Sequence, residues 1–581
     1  MEKFSFKTWM DKIQLVAQRF TFTLFFLFGL TFLFFLQINK NNVDIQSRIW
    51  TFFSLGIALT IAVTLFSEGF KNKFARIGLN LIAVLLLLAF SYSMPEKYVP
   101  VYYYYQTFAL GLVFVLSSFV VSFLQKNNDI PFWEFSKTVI LQLLIAFIFS
   151  QVLMLGLSLA VLSLQELFKI EIKNEVYQNL AIICYALFAP VYFLANVPTE
   201  NDKQLKELKF DKFLKVLGLY ILLPILAIYT LILYVYLIQI IIRWELPNGW
   251  VSTLVSVLGL GGFLCMLILY PLRLQNENKV VNLLSRFFSI LLFPLLILML
   301  VGIFRRFSDY GITINRAYVL LLNIWLFGIS IYLYFSKARH LKWILISFAA
   351  VLLLSSIGPW SVFSVTKNTL TNNLERMFTN ANMLEKGKIS AKLIQPLQID
   401  SVSNGIIVEN IRYLTENYGN RSIQHFFSYS IEKTNISKIL SDLKLKEFNT
   451  QIQLQYFSAF LPTGFLLDIK GFEYMLDISL NENSKSIFKD ENVTATLENN
   501  TIVVRFKGNI NKAVVIPLDS KLKELNSITT IKKNENYDKT QMTIKGKNYM
   551  LLIYNVSAQY DELKFTYKIT DFNAHLFYKV P

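Results

Sequence analysis

Residues 302–318 read GIFRRFSDYGITINRAY and residues 358–365 read GPWSVFSV, and the chain changes character between them. Before Gly358 it is a succession of long apolar runs; after it comes the polar mixture of a globular domain. Two apolar segments joined by the short basic loop 335–342 separate the two stretches. Gly311, between two such runs, suits a tight turn at positive φ. Pro359 does not readily continue a helix and Trp360 suits a membrane–water boundary. Gly358, Pro359 and Trp360 therefore read as the hinge where the chain leaves a bilayer.

The composition points the same way. Of 581 residues, 54% are hydrophobic and 16% charged, against about 25% charged in soluble proteins. A span needs roughly 20 mostly apolar residues. Eleven segments meet or approach this: 20–38, 49–66, 77–92, 108–124, 138–164, 179–197, 213–242, 250–272, 283–303, 318–334 and 343–357. Pro190, Pro224 and Pro294 fall inside three of them, where kinks are expected. Residues 1–19 mix Phe4, Phe6, Trp9, Ile13 and Val16 with Lys3, Lys7, Lys12 and Arg19. That pattern predicts a cytoplasmic amphipathic helix lying on the membrane, and the apolar run after it is too long for a signal peptide.

The formal charge of +17 would suit nucleic acid if it were concentrated in one domain, but residues 1–357 hold +12 of it and the tail +5. Most of it lies in short loops, where it is an orientation signal, so no nucleic-acid partner is expected. Loops on the N-terminal side carry about twice the Lys and Arg of those opposite, which predicts a cytoplasmic N-terminus. Eleven spans then place residues 358–581 outside.

The tail starts helically. Leu370, Leu374, Met377, Phe378, Ala381 and Leu384 recur at helical spacing, with further patches at 407–414 and 436–443. From about residue 450 the period falls to two. VTATLE and TIVVRF flank Asn499-Asn500 as a hairpin, and MTIKGKNYMLLIYNV and ELKFTYKITDF read as two more strands. The expected fold is an all-α polytopic membrane bundle of about eleven helices, followed by an α+β extracytoplasmic domain ending in an antiparallel sheet or sandwich. Its parts are the amphipathic helix 1–19, the bundle 20–357, a helical juxtamembrane segment 358–445 and a β-rich domain 446–581.

Chemistry is harder to find. No central part of a span holds Asp, Glu, Lys, Arg or His, which argues against an ion-coupled pump. The spans instead hold Asn80, Gln142, Gln151, Gln239 and Asn323, residues that commonly tie helix to helix. Cys184 and Cys265 lie in apolar runs, and His340, His425 and His575 have no metal partner at i+3 or i+4. No phosphate loop, nucleophile elbow or dinucleotide fingerprint occurs. No metal, cofactor or catalytic residue is assigned. Tyr102–Tyr105 suit the outer interface. Arg305, Arg306 and Arg316, with Asp309 among them, are candidate contacts for lipid headgroups or another anion. Near the N-terminus of the helix after Thr366 they are expected to clamp the tail to the bundle, with any lipid phosphate between.

The segments RRFSDYGITINRAYVLLLNIWL and SSIGPWSVFSVTKNTLTNNLERM resemble the bacterial membrane family called domain of unknown function 4153. The likeness rests on Arg305, Asp309 to Thr313, Arg316, Trp325, Gly358-Pro359-Trp360, Ser361 and Phe363-Ser364. It implies a multi-pass bacterial membrane protein and no activity. The favoured reading is a non-catalytic envelope protein of the inner membrane, its exported periplasmic domain binding a ligand or partner. Its expected partners are membrane lipids and an envelope protein or lipid-linked molecule. One alternative is a carrier or scramblase of lipid-linked or amphiphilic cargo. Another is a glycosyltransferase using lipid-linked sugars, with Asp44 in the first external loop as its carboxylate.

Overall fold

The computed structural model describes residues 6–579 except 40–44, 97, 125–128, 201–210, 244–249, 276–278, 337–339, 382, 385–386, 390–400, 433, 444, 446–454, 462–466, 482–485, 490–492, 499, 507–512, 532–537, 539 and 562–565. The chain divides into two compact units, Met1–Lys446 and Glu447–Pro581.

Among the described residues of the first unit, ten helices are long and apolar enough to cross a membrane. After α1 (Phe6–Arg19) come α2 (Thr21–Asn39), α3 (Ser47–Ser67), α4 (Lys73–Ser93), α5 (Val101–Val120) and α6 (Ile130–Phe168). The sixth span joins α7 (Asn174–Ala181), a π-helical segment Ile182–Phe188 and α8 (Ala189–Ala195). The seventh joins α9 (Lys212–Val216), a second π segment Leu217–Leu222 and α10 (Leu223–Arg243). Then follow α11 (Trp250–Ile268), the short α12 (Tyr270–Leu274), α13 (Lys279–Tyr310) and α14 (Ile314–Phe335). A shorter apolar helix, α15 (Lys342–Ser356), stands where the eleventh segment was expected. The chain is a multi-pass membrane protein.

Both π segments stand just before a proline. Pro190 and Pro224 have no N–H to give the carbonyl four residues back, and the ladder shifts register. Ala189 N–H bonds Cys184 O and Leu223 N–H bonds Gly218 O, each five residues back. A carbonyl left open in hydrocarbon costs several kcal/mol, and neighbouring helices supply hydroxyls. Thr31 donates to Ala186 O, four residues before Pro190, at 3.4 Å, and Ser150 adds a second bond to Cys184 O at 3.0 Å.

Helices α2 and α3 approach closely because small residues face rings. Phe53 covers Gly29 and Phe26 covers Gly56, where a Cβ would stand 2.0 and 2.1 Å from ring carbons. Three of the expected amides do tie helices together. Tyr185 donates to Gln151 at 2.9 Å, Asn323 to Leu296 O at 3.1 Å, and Thr64 reaches Asn80 at 3.5 Å.

Beyond α15, Gly358 takes φ +89° and Ser361 caps α16 (Val362–Asn380) through the N–H of Ser364. The buried stripe Leu370, Leu374 and Phe378 packs with Ile407, Ile411 and Leu414 of α17 (Ser401–Tyr418). With α18 (Ile436–Asp442) these helices form a cap that belongs to the first unit.

The second unit holds two antiparallel sheets. One, of five strands, runs β1 (Gln455–Phe460), β8 (Tyr549–Asp561), β9 (Thr566–Tyr578), β2 (Tyr474–Asn481), with β7 (Thr543–Lys545) also on β8. The other runs β3 (Ser486–Lys489), β4 (Val493–Glu498), β5 (Thr501–Phe506), β6 (Val514–Pro517). Asn500, at φ +56°, makes the β4–β5 turn as the Asn pair suggested. The strands and α19 (Asp519–Ile531) share one apolar core that includes Ile478, Ile502, Leu525, Val556 and Leu576.

Candidate functional site

The junction of bundle and cap is a seam of aromatic rings and tyrosine hydroxyls. Tyr102, in the first turn of α5, stacks on Tyr103 at 4.2 Å and on Tyr418 of α17 at 5.2 Å. Phe363, at the start of α16, lies against Tyr102 at 5.8 Å and edge-on to Tyr318 of α14 at 6.0 Å. Tyr418 donates to Phe363 O at 3.0 Å, and the Ile314 N–H donates to the Tyr413 hydroxyl at 2.8 Å. Gln106 adds a bond to Ser356 O at 2.8 Å. Burial pushes the Tyr413 and Tyr418 phenols above their ordinary range, so these hydroxyls stay neutral. The tyrosine run that suited the interface thus also docks the cap, through Tyr102.

The residues proposed around the hinge fall as follows. Arg305 and Arg306 are exposed near the end of α13. Asp309 stands in its last turn, its side chain outside the described residues. Gly311 turns at φ +73°, and Arg316 donates to its carbonyl at 2.8 Å. Trp360 is 64% exposed beside Gly358. Arg316 therefore braces the α13–α14 turn, and the Ile314 N–H after that turn bonds the cap. Asp44 lies outside the described residues.

Sequence reasoning missed a charged layer at the opposite end. Arg19 makes a two-pronged pair with Glu68, at 2.5 and 3.2 Å, and donates to Val197 O and Pro198 O at 2.7 and 2.8 Å. It thereby joins α1, the α3–α4 loop and the end of the sixth span. Nearby in the same layer, Asp129 ends the α5–α6 loop with its side chain fully buried. Lys342 Nζ lies 3.8 Å away and His340 Nδ1 3.9 Å, both beyond hydrogen-bond reach of the carboxylate. Burial holds the Asp129 carboxyl above the usual carboxylate range, only partly opposed by Lys342 and His340. Lys342 also donates to Phe123 O at 3.3 Å. The only signal in sequence was the acid itself, among basic loops.

Two hollows flank this layer. A cavity of about 930 Å3 between α2, α3, α5, α6 and the π-helical sixth span is almost wholly apolar, with Gln151 and Tyr185 among its lining. A second cleft, of about 880 Å3, lies at the bundle end beside Arg19 and Glu68. In the sheet unit, His575 bonds the Tyr554 hydroxyl through Nδ1 at 2.7 Å and faces Asp477 through Nε2 at 3.5 Å. Asn555 donates to Asp571 at 2.5 Å. Among the described residues, no group of three or more His, Cys, Asp or Glu could hold a metal ion.

Comparison with known proteins follows from this architecture. The family described as "Domain of unknown function (DUF4153)" matches residues 21–386, which takes in the bundle, the hinge and α16. An uncharacterized protein of Pasteurella multocida strain Pm70, PM1469, is 28% identical over 330 residues. That match covers 56% of this chain and 54% of the relative, so the chain spans about half the length of the relative it matches. No solved structure matches.

Proposed function

We propose, from the premise that this chain belongs to the DUF4153 family, that it is a non-catalytic anchor of the bacterial inner membrane whose sheet domain recognises an envelope partner. The observation that carries this reading is the division of labour along the chain. The tyrosine seam makes the cap part of the bundle, while the sheet unit has a core of its own. One side of the five-stranded sheet presents Ser458, Asp477, Asn555, Ser557, Asp571 and His575, all at least partly exposed, a polar array suited to hydrogen-bonded recognition. The carrier alternative needs a polar path for a headgroup; the larger cavity is apolar, which favours the anchor.

On this reading the N-terminus is cytoplasmic and the cap and sheet unit are periplasmic. The charged layer of Arg19, Glu68, Asp129, Lys342 and His340 would then face the cytoplasm, in keeping with the excess of Lys and Arg in those loops. A reporter active only outside the cytoplasm, fused after Lys388, should be active; activity solely from a cytoplasmic reporter at that point would reverse the orientation. For recognition, a photo-crosslinking residue placed at Ser458, Asp477 or Ser557 of the full chain in living cells should yield a discrete adduct. The same residue at the buried Ile478 should not. Absence of any adduct from all three positions would remove the sheet face as the binding surface.

A further inference from the structure

The cleft beside Arg19 has features that an anchor does not require. Its rim is formed by the end of α1 (Leu15, Arg19), the start of α2 (Phe22), the end of α3 (Ser67, Glu68) and the first two turns of α4 (Lys73, Arg76, Asn80). All these elements begin or end there, so the cleft sits at the depth where hydrocarbon meets headgroups.

Its charges are not all spent. Arg19 and Glu68 neutralise each other in their two-pronged pair. Arg76 is held differently: it donates to Phe70 O at 2.8 Å and to Glu68 O at 3.1 Å. Carbonyl dipoles fix the guanidinium but leave its positive charge in place. Lys73, exposed at the first position of α4, adds a second cation where the helix dipole is also positive. Glu200 supplies one opposing charge from the far wall. The lining amide and hydroxyls are committed within the protein, Asn80 to Arg76 O, Thr21 to Ala17 O and Ser67 to Thr64 O, so what the hollow offers an anion is the cation excess of Lys73 and Arg76.

Toward the membrane centre the cleft leads onto bare hydrocarbon-facing surface. On α2, Phe25, Phe28 and Phe32 are exposed at helical spacing, continuing the face of Phe22. On α4, Ile77, Leu81, Leu85 and Leu88 are likewise exposed, and α3 packs against both helices. A basic hollow above two apolar stripes complements a molecule with an anionic head and long chains.

We infer that this cleft is a site for one anionic glycerophospholipid, its phosphate held by Arg76 and Lys73 and its chains laid along α2 and α4. Charge complementarity selects the headgroup; the stripes select chains over free phosphate. Bound there, the lipid ties α1 and the α3–α4 loop to the leaflet. The site stands apart from the sheet domain and does not rest on the function proposed above.

The test uses the full chain in nanodiscs of phosphatidylcholine containing a minor share of phosphatidylglycerol, with retained lipids counted by native mass spectrometry. Wild type should retain one phosphatidylglycerol in preference to phosphatidylcholine, and Lys73→Gln with Arg76→Gln should lower that retention at least tenfold. Because Arg76 also braces its loop, Lys73→Gln alone and Arg76→Lys are measured beside it. The first should weaken retention severalfold and the second preserve most of it. Lys212→Gln with Lys215→Gln removes the same charge elsewhere on this end and should change nothing. Equal loss in that control, or unchanged retention in the Lys73–Arg76 pair, would overturn the site. So would displacement of the lipid by millimolar inorganic phosphate, which would show an ion site indifferent to chains.

Discussion

Replacing Phe363 with alanine should release the cap from the bundle at a cost of about 3–5 kcal/mol, the usual range for emptying a buried Phe site. Phe363 is 4% exposed and lies between Tyr102 and Tyr318, so its ring fills space shared by α5, α14 and α16. Its loss opens a cavity the neighbouring rings cannot close without leaving Tyr418, which stacks on Tyr102 and donates to the Phe363 carbonyl. The bundle itself does not depend on this ring. Hydrogen exchange in α16 and α17 should therefore rise sharply, and a protease should cut the cap, while the spans stay inserted. Trp360→Ala is the internal comparison. That side chain is 64% exposed, and its loss should move the cap by no more than about 0.5 kcal/mol. A Phe363→Ala cap as protected as the wild type's would show that the seam is not what holds it.

The contrast between those two aromatics marks what the sequence could and could not say. Trp360 sits where hydropathy ends, so its neighbours alone single it out as a candidate boundary residue. Phe363 is three residues on and was marked only by the family resemblance, which gave it no structural role. Its importance comes from Tyr102 and Tyr418, far away in sequence, and pairwise proximity leaves no local trace. The same holds across the chain. Apolar runs announced the spans because each must satisfy its backbone internally, and Asn499-Asn500 announced the β4–β5 turn through its own φ preference. Pro190 and Pro224 announced disruption but not its form. Before Pro190, Ser150 and Thr31 reach over from other helices to carbonyls of the π segment, partners that no local pattern could name. In the sheet unit, the pairing of β2 with β9 joins segments some ninety residues apart. Alternation alone could show neither partner nor register. Arg19 read as one basic residue of an amphipathic helix, and only the fold brings Glu68 and the carbonyls of Val197 and Pro198 to it.

The buried pair at the charged end carries the second large effect. Lys342→Met should destabilise the protein by about 3–5 kcal/mol, because it leaves the Asp129 carboxylate buried without its nearest cation. Asp129 joins the start of α6 to the α14–α15 hairpin, and its side chain is wholly removed from solvent. His340, 47% exposed at 3.9 Å, can replace only part of the lost attraction, and only when protonated. Asp129→Asn with Lys342→Met removes both charges and should return to within about 1 kcal/mol of wild type, since a buried pair contributes little net beyond its own desolvation. The sign of the pH dependence follows from the raised Asp129 carboxyl. A folded-state value above the unfolded one means a contribution fully present below the unfolded value and lost as pH rises through the folded value. Removing Lys342, which holds that value down, should therefore make the single variant weakest at neutral pH and progressively rescued by acid. The double variant should lack this acid rescue. Thermal unfolding of each in nanodiscs between acid and neutral pH measures the cycle. A Lys342→Met protein as stable as wild type at neutral pH would show that Asp129 is not held by this charge.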